Sequence, residues 1–542
     1  MAAVSVRVFA LYLFSGSALF EPAAGSGHDR TLYLVALTEV AEGRWFPEGA
    51  FAYLPLYPWV AGLVARIFGA HAMTAAYFGI VVDSATALCL FFLARRLGAR
   101  RWLALTAGLL YAFYPLAVMY SLLTMPNTLN TLGITGFVLL ATHRSPSPRW
   151  AFSLGLAGGI IALGFAGMLL IATAVGACLA AQGALRRPAH LALYALGLSL
   201  PLLPVAWHNS RAEGQFVLLT THGGLNFYMG NHEQATGYPL RIRNFRMTAR
   251  DMLEDAHRHA ETESGRMMTR AESSTWWRDQ ARAFWREQPG AALALTAKKA
   301  LLFWNAREMD DLRMLEQVRL TEPAFRFLPG VPFAVFGLLG WWGLIRARPA
   351  GIPKVALLAG MIGVIMFFIT ARYRLTFVPL LAALGAAGME ATLLSGLRRD
   401  WKSIAWLLAG AVVVFFPFTV RDQRAVDHYN AALALTAAQR DHDAHRLLQA
   451  GLNIAPEHPD LLFALGSWYY RQEQFDAAAS ALARCVAVNP DQPGAWFNLA
   501  LSLARAGRYC EGADALRGAG QRGISLEDRT RGLLAELQAA CQ

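Results

Sequence analysis

The sequence predicts an all-α membrane bundle of about eleven transmembrane helices with a mixed extracytoplasmic loop domain, followed by a soluble α-helical solenoid of tetratricopeptide repeats. Three observations predict it. Of 542 residues, 55% are hydrophobic and 16% charged, whereas soluble domains carry roughly 25% charged residues. Apolar stretches of membrane-spanning length recur through residues 1–420, and residues 421–542 repeat with a period of 34.

A transmembrane helix needs about 20 mostly apolar residues to cross a hydrocarbon core of roughly 30 Å. The stretches that qualify are 4–22, 74–94, 102–122, 127–142, 150–182, 190–207, 328–345, 355–371, 375–394 and 403–420. The 150–182 stretch is long enough for two tight passes, with a turn at Gly164-Phe165-Ala166-Gly167. Residues 4–20 resemble a cleaved signal in composition, but the many spans that follow make a first transmembrane helix the better reading.

Cytoplasmic loops of membrane proteins collect Lys and Arg. The clusters here are Arg95/Arg96/Arg100/Arg101, Arg144/Arg149, Arg186/Arg187, Arg346/Arg348/Lys354 and Arg398/Arg399/Lys402. They share one side only if 150–182 crosses an even number of times and Leu54–Phe68 does not span. Pro55, Pro58 and Arg66 fit an interfacial amphipathic helix there. The amino terminus is then cytoplasmic, while residues 23–73, 208–327 and everything after about 421 lie outside. The net charge of +12 resides in these inter-span clusters rather than on one soluble face, which argues against a nucleic-acid partner.

In the tail, Ala444, Ala478 and Gly512 are spaced by 34 residues, as are Leu448, Leu482 and Leu516, and Pro456 and Pro490. Leu462, Leu465, Gly466, Tyr469, Ala478, Leu482 and Pro490 occupy the positions of the tetratricopeptide pattern. Small residues let paired helices approach, and stacked pairs leave a concave surface for a protein partner or serve as a cap. The five cysteines (Cys89, Cys178, Cys485, Cys510, Cys541) show neither metal-ligand spacing nor a disulfide framework.

Chemistry has three candidate locations. An acid at the membrane edge is partly desolvated and suits a base or ligand, which singles out Asp29; the same residue suits a helix N-cap, and the two roles can coexist. Residues 207–238 are dense in Gly, Asn and aromatic residues, a composition that suits a polyhydroxylated substrate as well as a glycine-rich turn. Lys299, Arg372 and Arg374 are cations on the outer side, against the charge bias, and suit a membrane-borne phosphate or headgroup snorkelling. Asp83, inside a span, is assigned no chemistry.

Several motifs together resemble the GT-C superfamily of polytopic glycosyltransferases, in the group of protein O-mannosyltransferases and aminoarabinose lipid A transferases. They are the Asp29 loop, Pro55-Leu56-Tyr57-Pro58, the Asn209-to-Asn231 block, Lys299 with Phe303-Trp304-Asn305, and Arg372-Tyr373-Arg374 followed by Pro379. The resemblance covers roughly residues 1–395. It implies a sugar donor on a polyprenyl phosphate and an inverting transfer on the extracytoplasmic face. Asp29 would activate the acceptor or hold a divalent metal (Mg or Mn), Arg372, Arg374 and Lys299 would hold the donor phosphate, and Tyr57, Asn209, Asn226, Tyr228 and Asn231 would contact substrate.

The chain departs from the pattern in places. His28 and Arg30 flank Asp29 where relatives often carry a second acid, which leaves a metal site and a contribution from Glu39 or Glu42 open. His208 stands where Arg is common, and residues 164–167 lack an Arg. The acceptor is a protein, a lipid or a polysaccharide, and the compact loops with attached repeats fit a bacterial inner membrane. A membrane-anchored, non-enzymatic repeat scaffold for envelope assembly is the alternative. A transporter is disfavoured by the large 208–327 loop and the absence of paired broken helices.

Overall fold

The computed structural model describes residues 1–15, 29–143, 147–239, 245, 249–309, 314–328, 330–348, 350–395, 401–418, 421–522 and 528–541. His28, Arg144, Arg398 and Arg399 lie outside the described residues. Two compact units divide the chain: Met1–Leu312 with Phe327–Phe416, and Arg313–Arg326 with Pro417–Gln542. Every regular element among the described residues is helical, so the loop domain expected to be mixed is helical where it is described.

In the first unit, Ala72–Arg96 and Val378–Ser395 are long and apolar enough to cross a membrane. Two further pairs qualify as bent spans: Arg101–Ala112 with Pro115–Ser121, bent by 62°, and Pro188–Ser199 with Leu202–Glu213, bent by 48°. Proline sits at each break, where the missing N–H and fixed φ interrupt the ladder. The other apolar stretches form shorter helices. Residues 150–182 divide into Pro148–Ala162 and Met168–Ala181, with the break where the glycines predict it. At 1.5 Å per residue each is about 21–23 Å long, short of a full hydrocarbon core. Among the described residues, two helices, or four with each bent pair counted as one, are long and apolar enough to span, and the other apolar stretches expected to span form shorter helices.

Helix faces explain the packing. Ala72–Arg96 exposes Tyr77, Val81, Leu88 and Phe92 along one stripe and buries Ala76, Ile80, Asp83 and Leu90, the arrangement of a helix with lipid on one side. Glycine permits the closest contacts. A Cβ on Gly155 would lie 2.0 Å from the Tyr194 carbonyl oxygen, and one on Gly197 would lie 2.3 Å from that of Phe152. Helices Pro148–Ala162 and Pro188–Ser199 thus meet backbone to backbone, as small residues allow in membrane bundles.

Asp83 is neutralised inside this unit. Arg7 Nε donates to Asp83 Oδ2 at 2.6 Å, Arg7 Nη2 joins the same oxygen and the Tyr111 hydroxyl donates to Oδ1. Arg7 Nη1 also reaches the carbonyls of Ala3 at 2.9 Å and Ala112 at 3.2 Å. Ala112 ends the first half of a bent pair, so the ion pair also satisfies a carbonyl freed by the bend.

The second unit stacks the helices Arg421–Ala437, Asp441–Ile454, Pro459–Arg471, Phe475–Val488, Pro493–Arg505, Tyr509–Gln521 and Asp528–Cys541. Ala444, Ala478, Leu448, Leu482 and Leu516 are buried between them. The turns obey the same period: Gln439, Glu473 and Gly507 all take positive φ, at 58°, 59° and 78°. Met314–Thr321 belongs here as well, and Arg440 donates to the Thr321 carbonyl at 3.1 Å. One expectation is corrected. Cys510 and Cys541 form a disulfide with Cα atoms 4.9 Å apart, because stacking the last helix on its predecessor joins cysteines whose spacing in sequence carries no motif.

Candidate active site

Asp29 is the first residue of the helix Asp29–Ala41, where a carboxylate complements the positive end of the helix dipole. Asp29 Oδ2 accepts from Arg372 Nη1 at 2.9 Å, with the two side chains 16% and 15% exposed. Arg372 lies on the short helix Ala371–Leu375. Its carbonyl accepts from Asn127 Nδ2 at 3.2 Å, and the Ala371 N–H donates to the Met309 carbonyl. The turn carrying Arg372 is therefore fixed from two directions before any substrate arrives.

Aromatic rings wall the pair. Tyr33 packs against Tyr53 at 5.3 Å and edge-on to Tyr57 at 5.7 Å, and the Arg372 guanidinium lies over the Tyr373 ring at 5.3 Å. Burial pushes the Tyr33 and Tyr53 hydroxyls up, Asp29 pushes them further, and Arg372 opposes it. Both stay protonated donors. Tyr53 also meets His222 edge-on at 6.0 Å. Burial, aided by Arg270, lowers His222 to about 4 although Asp29 pulls the other way, so its ring is neutral near pH 7.

Other expected site residues occupy a second, structural cluster. Lys299, from Pro289–Trp304, is fully buried and donates to Asn231 Oδ1 at 3.2 Å. Burial lowers its ammonium to about 8. Asn231 has every group engaged: Trp285 also donates to its Oδ1, and its Nδ2 donates to the Phe227 and Met366 carbonyls at 2.8 Å each. Arg374 is 1% exposed, and its guanidinium donates to the carbonyls of Asn305 at 2.6 Å, Arg307 at 2.8 Å, and Leu302 and Phe303 at 3.3 Å each. It clamps the frayed end of the Lys299 helix, with its face 4.0 Å from the Phe333 centroid.

Asn209 is likewise committed to the backbone. It accepts from the Phe51 N–H and donates to the Leu219 carbonyl, each at 2.8 Å. Tyr228 stacks on His232 at 5.0 Å and tilts against Trp277 at 4.7 Å, inside the apolar cluster of Leu225, Ala256 and Trp277. Asn226 is half-buried on the same helix, and Tyr57 is buried under Tyr33. Three residues not singled out from sequence lie beside these groups: Tyr53 and His222 in the field of Asp29, and Glu308 in the Arg374 cluster. The Tyr114 hydroxyl donates to Glu308 Oε1, and Glu308 lies in the field of Arg374. His222 was visible only as part of the glycine-rich block, and Tyr53 only as a neighbour of Pro55.

Residues 52–208 match the family described as dolichyl-phosphate-mannose-protein mannosyltransferase, and residues 459–502 match the tetratricopeptide repeat. The GT-C resemblance holds over that first span. No curated protein sequence matches the chain. Among solved structures, ArnT from Cupriavidus metallidurans bound to undecaprenyl phosphate is similar at 14% identity and a TM-score of 0.39, covering 95% of this chain and 78% of that one. The oligosaccharyltransferase of Archaeoglobus fulgidus with zinc and sulfate is similar at 14% identity and a TM-score of 0.36, covering 79% of this chain. The chain spans 55% of that oligosaccharyltransferase.

A divalent metal does not fit the residues gathered at Asp29. Among the described residues no group of three or more His, Cys, Asp or Glu side chains converges. Asp29 offers one carboxylate already paired with a guanidinium, and Glu42 is drawn to Arg44.

Proposed function

We propose that the chain is an inverting glycosyltransferase that takes a sugar from a polyprenyl-phosphate donor at the extracytoplasmic face, with Asp29 as general base. The observation that carries this reading is the Asp29–Arg372 pair, held at 2.9 Å between residues 343 apart in sequence and enclosed by tyrosines. The family matched over residues 52–208, by its name, uses such a donor.

In this reading the donor phosphate competes for Arg372 and draws the guanidinium off Asp29. The acceptor hydroxyl or amine attacks the anomeric carbon, the bond from that carbon to the phosphate oxygen breaks, and the leaving polyprenyl phosphate takes the electron pair. Asp29 accepts the proton that the acceptor loses. A positioned base contributes roughly 10²–10⁴-fold, and a fixed cation stabilises the phosphate's developing charge. Lys299, fully buried and donating to Asn231, acts as a positioning residue. Arg374, Asn209, Asn231, Tyr228 and Tyr57 act as positioning residues, and Asn226 contacts the sugar.

The tail is proposed to lie outside the cytoplasm, where it presents or selects an acceptor. The Cys510–Cys541 disulfide supports that side, since disulfides persist in oxidising compartments. The test is mass spectrometry of envelope glycans and glycoproteins from cells lacking the protein and from cells carrying Asp29→Asn. The same glycoform should vanish in both, and a wild-type profile in the Asp29→Asn cells would remove the base.

A further inference from the structure

The tail carries a groove that the Asp29 chemistry leaves unused. It lies between the second helices of two successive pairs, Phe475–Val488 and Tyr509–Gln521, over the first helix of the later pair, Pro493–Arg505. Ala479, Ser480 and Ala483 line one wall, Glu511 and Asp514 the other, and Leu499 and Leu503 the floor. Its volume is about 550 Å³, inside the range of roughly 300–1,000 Å³ that ligand sites occupy.

The same place one repeat earlier is filled. At the positions 34 residues before Ala479, Ser480 and Ala483 stand His445, Arg446 and Gln449. The His445 ring stacks on Trp468 at 4.1 Å and meets Tyr469 at 5.7 Å, and Gln449 Nε2 lies 3.1 Å from His445 Nε2. The counterparts of Trp468 and Tyr469 are Ser502 and Leu503. Three rings and an amide thus give way to smaller side chains while the helix pairs stack as before. The groove is therefore written into these few positions and is no general property of stacked repeats.

Charge selects the occupant. Asp476, Glu511 and Asp514 stand on the rim with side chains 79%, 58% and 66% exposed, against one lining guanidinium, that of Arg508. Arg508 is shared: it donates to Glu511 at 2.7 and 2.8 Å and to Asp476 at 3.2 Å. Asp514 meets Arg517, which is not among the lining residues. Ion pairs this exposed hold their partners weakly, so an incoming cation competes for the carboxylates. Below the rim the surface is aliphatic. A Lys or Arg side chain matches both parts, laying its stem on Leu499, Leu503 and the alanines and keeping its charged head at the rim.

We propose that this groove docks a cationic segment of a protein partner, with Lys or Arg side chains seated between Phe475–Val488 and Tyr509–Gln521. Such docking is separate from sugar transfer and stands without it.

Fluorescence anisotropy of a short labelled peptide of lysine and alanine, titrated with the purified full-length protein in detergent, tests the assignment. Wild type should bind the peptide saturably, and binding should weaken as salt rises from about 50 to about 500 mM. A peptide with glutamate in place of lysine should not bind. Ala479→His/Ala483→Gln puts the preceding repeat's side chains into the groove and should weaken binding about tenfold or more. Glu511→Gln/Asp514→Asn keeps the shape, removes two charges and should weaken it about fivefold. Ser480→Arg places the preceding repeat's cation at an exposed position, so it tests the groove even where the filled variant misfolds, and it should weaken binding in the same direction.

Equal binding of the glutamate peptide, or wild-type affinity in the folded variants, overturns the groove as a docking site for cations. A wild-type dimer that Ser480→Arg dissociates gives the groove to a second copy of the chain and overturns the proposal as well.

Discussion

Replacing Arg374 separates a phosphate ligand from a structural clamp. The guanidinium is 1% exposed and donates to four carbonyls, two of them at 2.6 and 2.8 Å. Leu302 and Phe303 lie in the last turn of Pro289–Trp304, whose final carbonyls have no partner within the helix. Hydrogen bonds to a charged group contribute about 1.5–3 kcal/mol each, so losing the two short ones costs about 3–6 kcal/mol. Losing the guanidinium's own desolvation offsets part of this, which leaves about 3 kcal/mol for Arg374→Met. At roughly 2 °C per kcal/mol in a large unit, the apparent Tm of the detergent-solubilised protein should fall by about 6 °C. Donor KM should change little in the fraction that stays folded. Arg372→Met should do the reverse, with a small shift in Tm and a large loss of donor saturation. An unchanged Tm for Arg374→Met together with a raised donor KM would refute the clamp and restore Arg374 as a phosphate ligand.

Arg7→Leu leaves the fully buried Asp83 without its counter-ion and should cost about 3–5 kcal/mol; Arg7→Leu/Asp83→Leu should recover most of that loss, as thermal unfolding of both variants would show. Lys299 gives a pH signature. Its folded value is about 8 against an ordinary 10.5, so between these limits the unfolded chain binds the extra proton and stability rises with pH. The rise amounts to about 3 kcal/mol in all, and Lys299→Met should lack it when unfolding is compared at pH 7.5 and about pH 10. Cys510→Ser opens a closure of 31 residues and should cost the tail about 3 kcal/mol. Its protease sensitivity should match that of reduced wild type, and a tail indifferent to both changes would mean that the disulfide stabilises nothing.

The repeats were the most legible part of the fold, because a 34-residue period carries both the packing and the turns. The small residues Ala444 and Ala478 are buried as the pattern requires. The positive φ at Gln439 and Glu473 was not legible, since only the third copy of that position, Gly507, carries the residue that signals it. The glycine-marked break in 150–182 was readable because an interrupted ladder leaves a compositional trace. The bends at Pro115 and Pro201 were not legible, because hydropathy does not register where a proline bends an apolar stretch. The disulfide was missed for a related reason: its cysteines meet only through the stacking of two helices.

For the site, residue type predicted chemistry better than it predicted partners. Arg372 and Arg374 are two positions apart and equally basic, yet one faces a carboxylate and the other faces four carbonyls. On a helix, neighbours two apart point to different sides, so a motif containing both cannot assign both to the same ligand. Asn209 and Asn231 are committed to the protein in a similar way. Their amides suit a hydroxyl in chemistry, but each is held on both its oxygen and its nitrogen by the protein itself. The pair that no local pattern could join is Asp29 with Arg372. Asp29 accepts only while Arg372 has no better anion, and a phosphate, with its greater charge, is a better one. Donor arrival would thereby release the base at the moment it is needed, which ties the order of substrate binding to one ion pair.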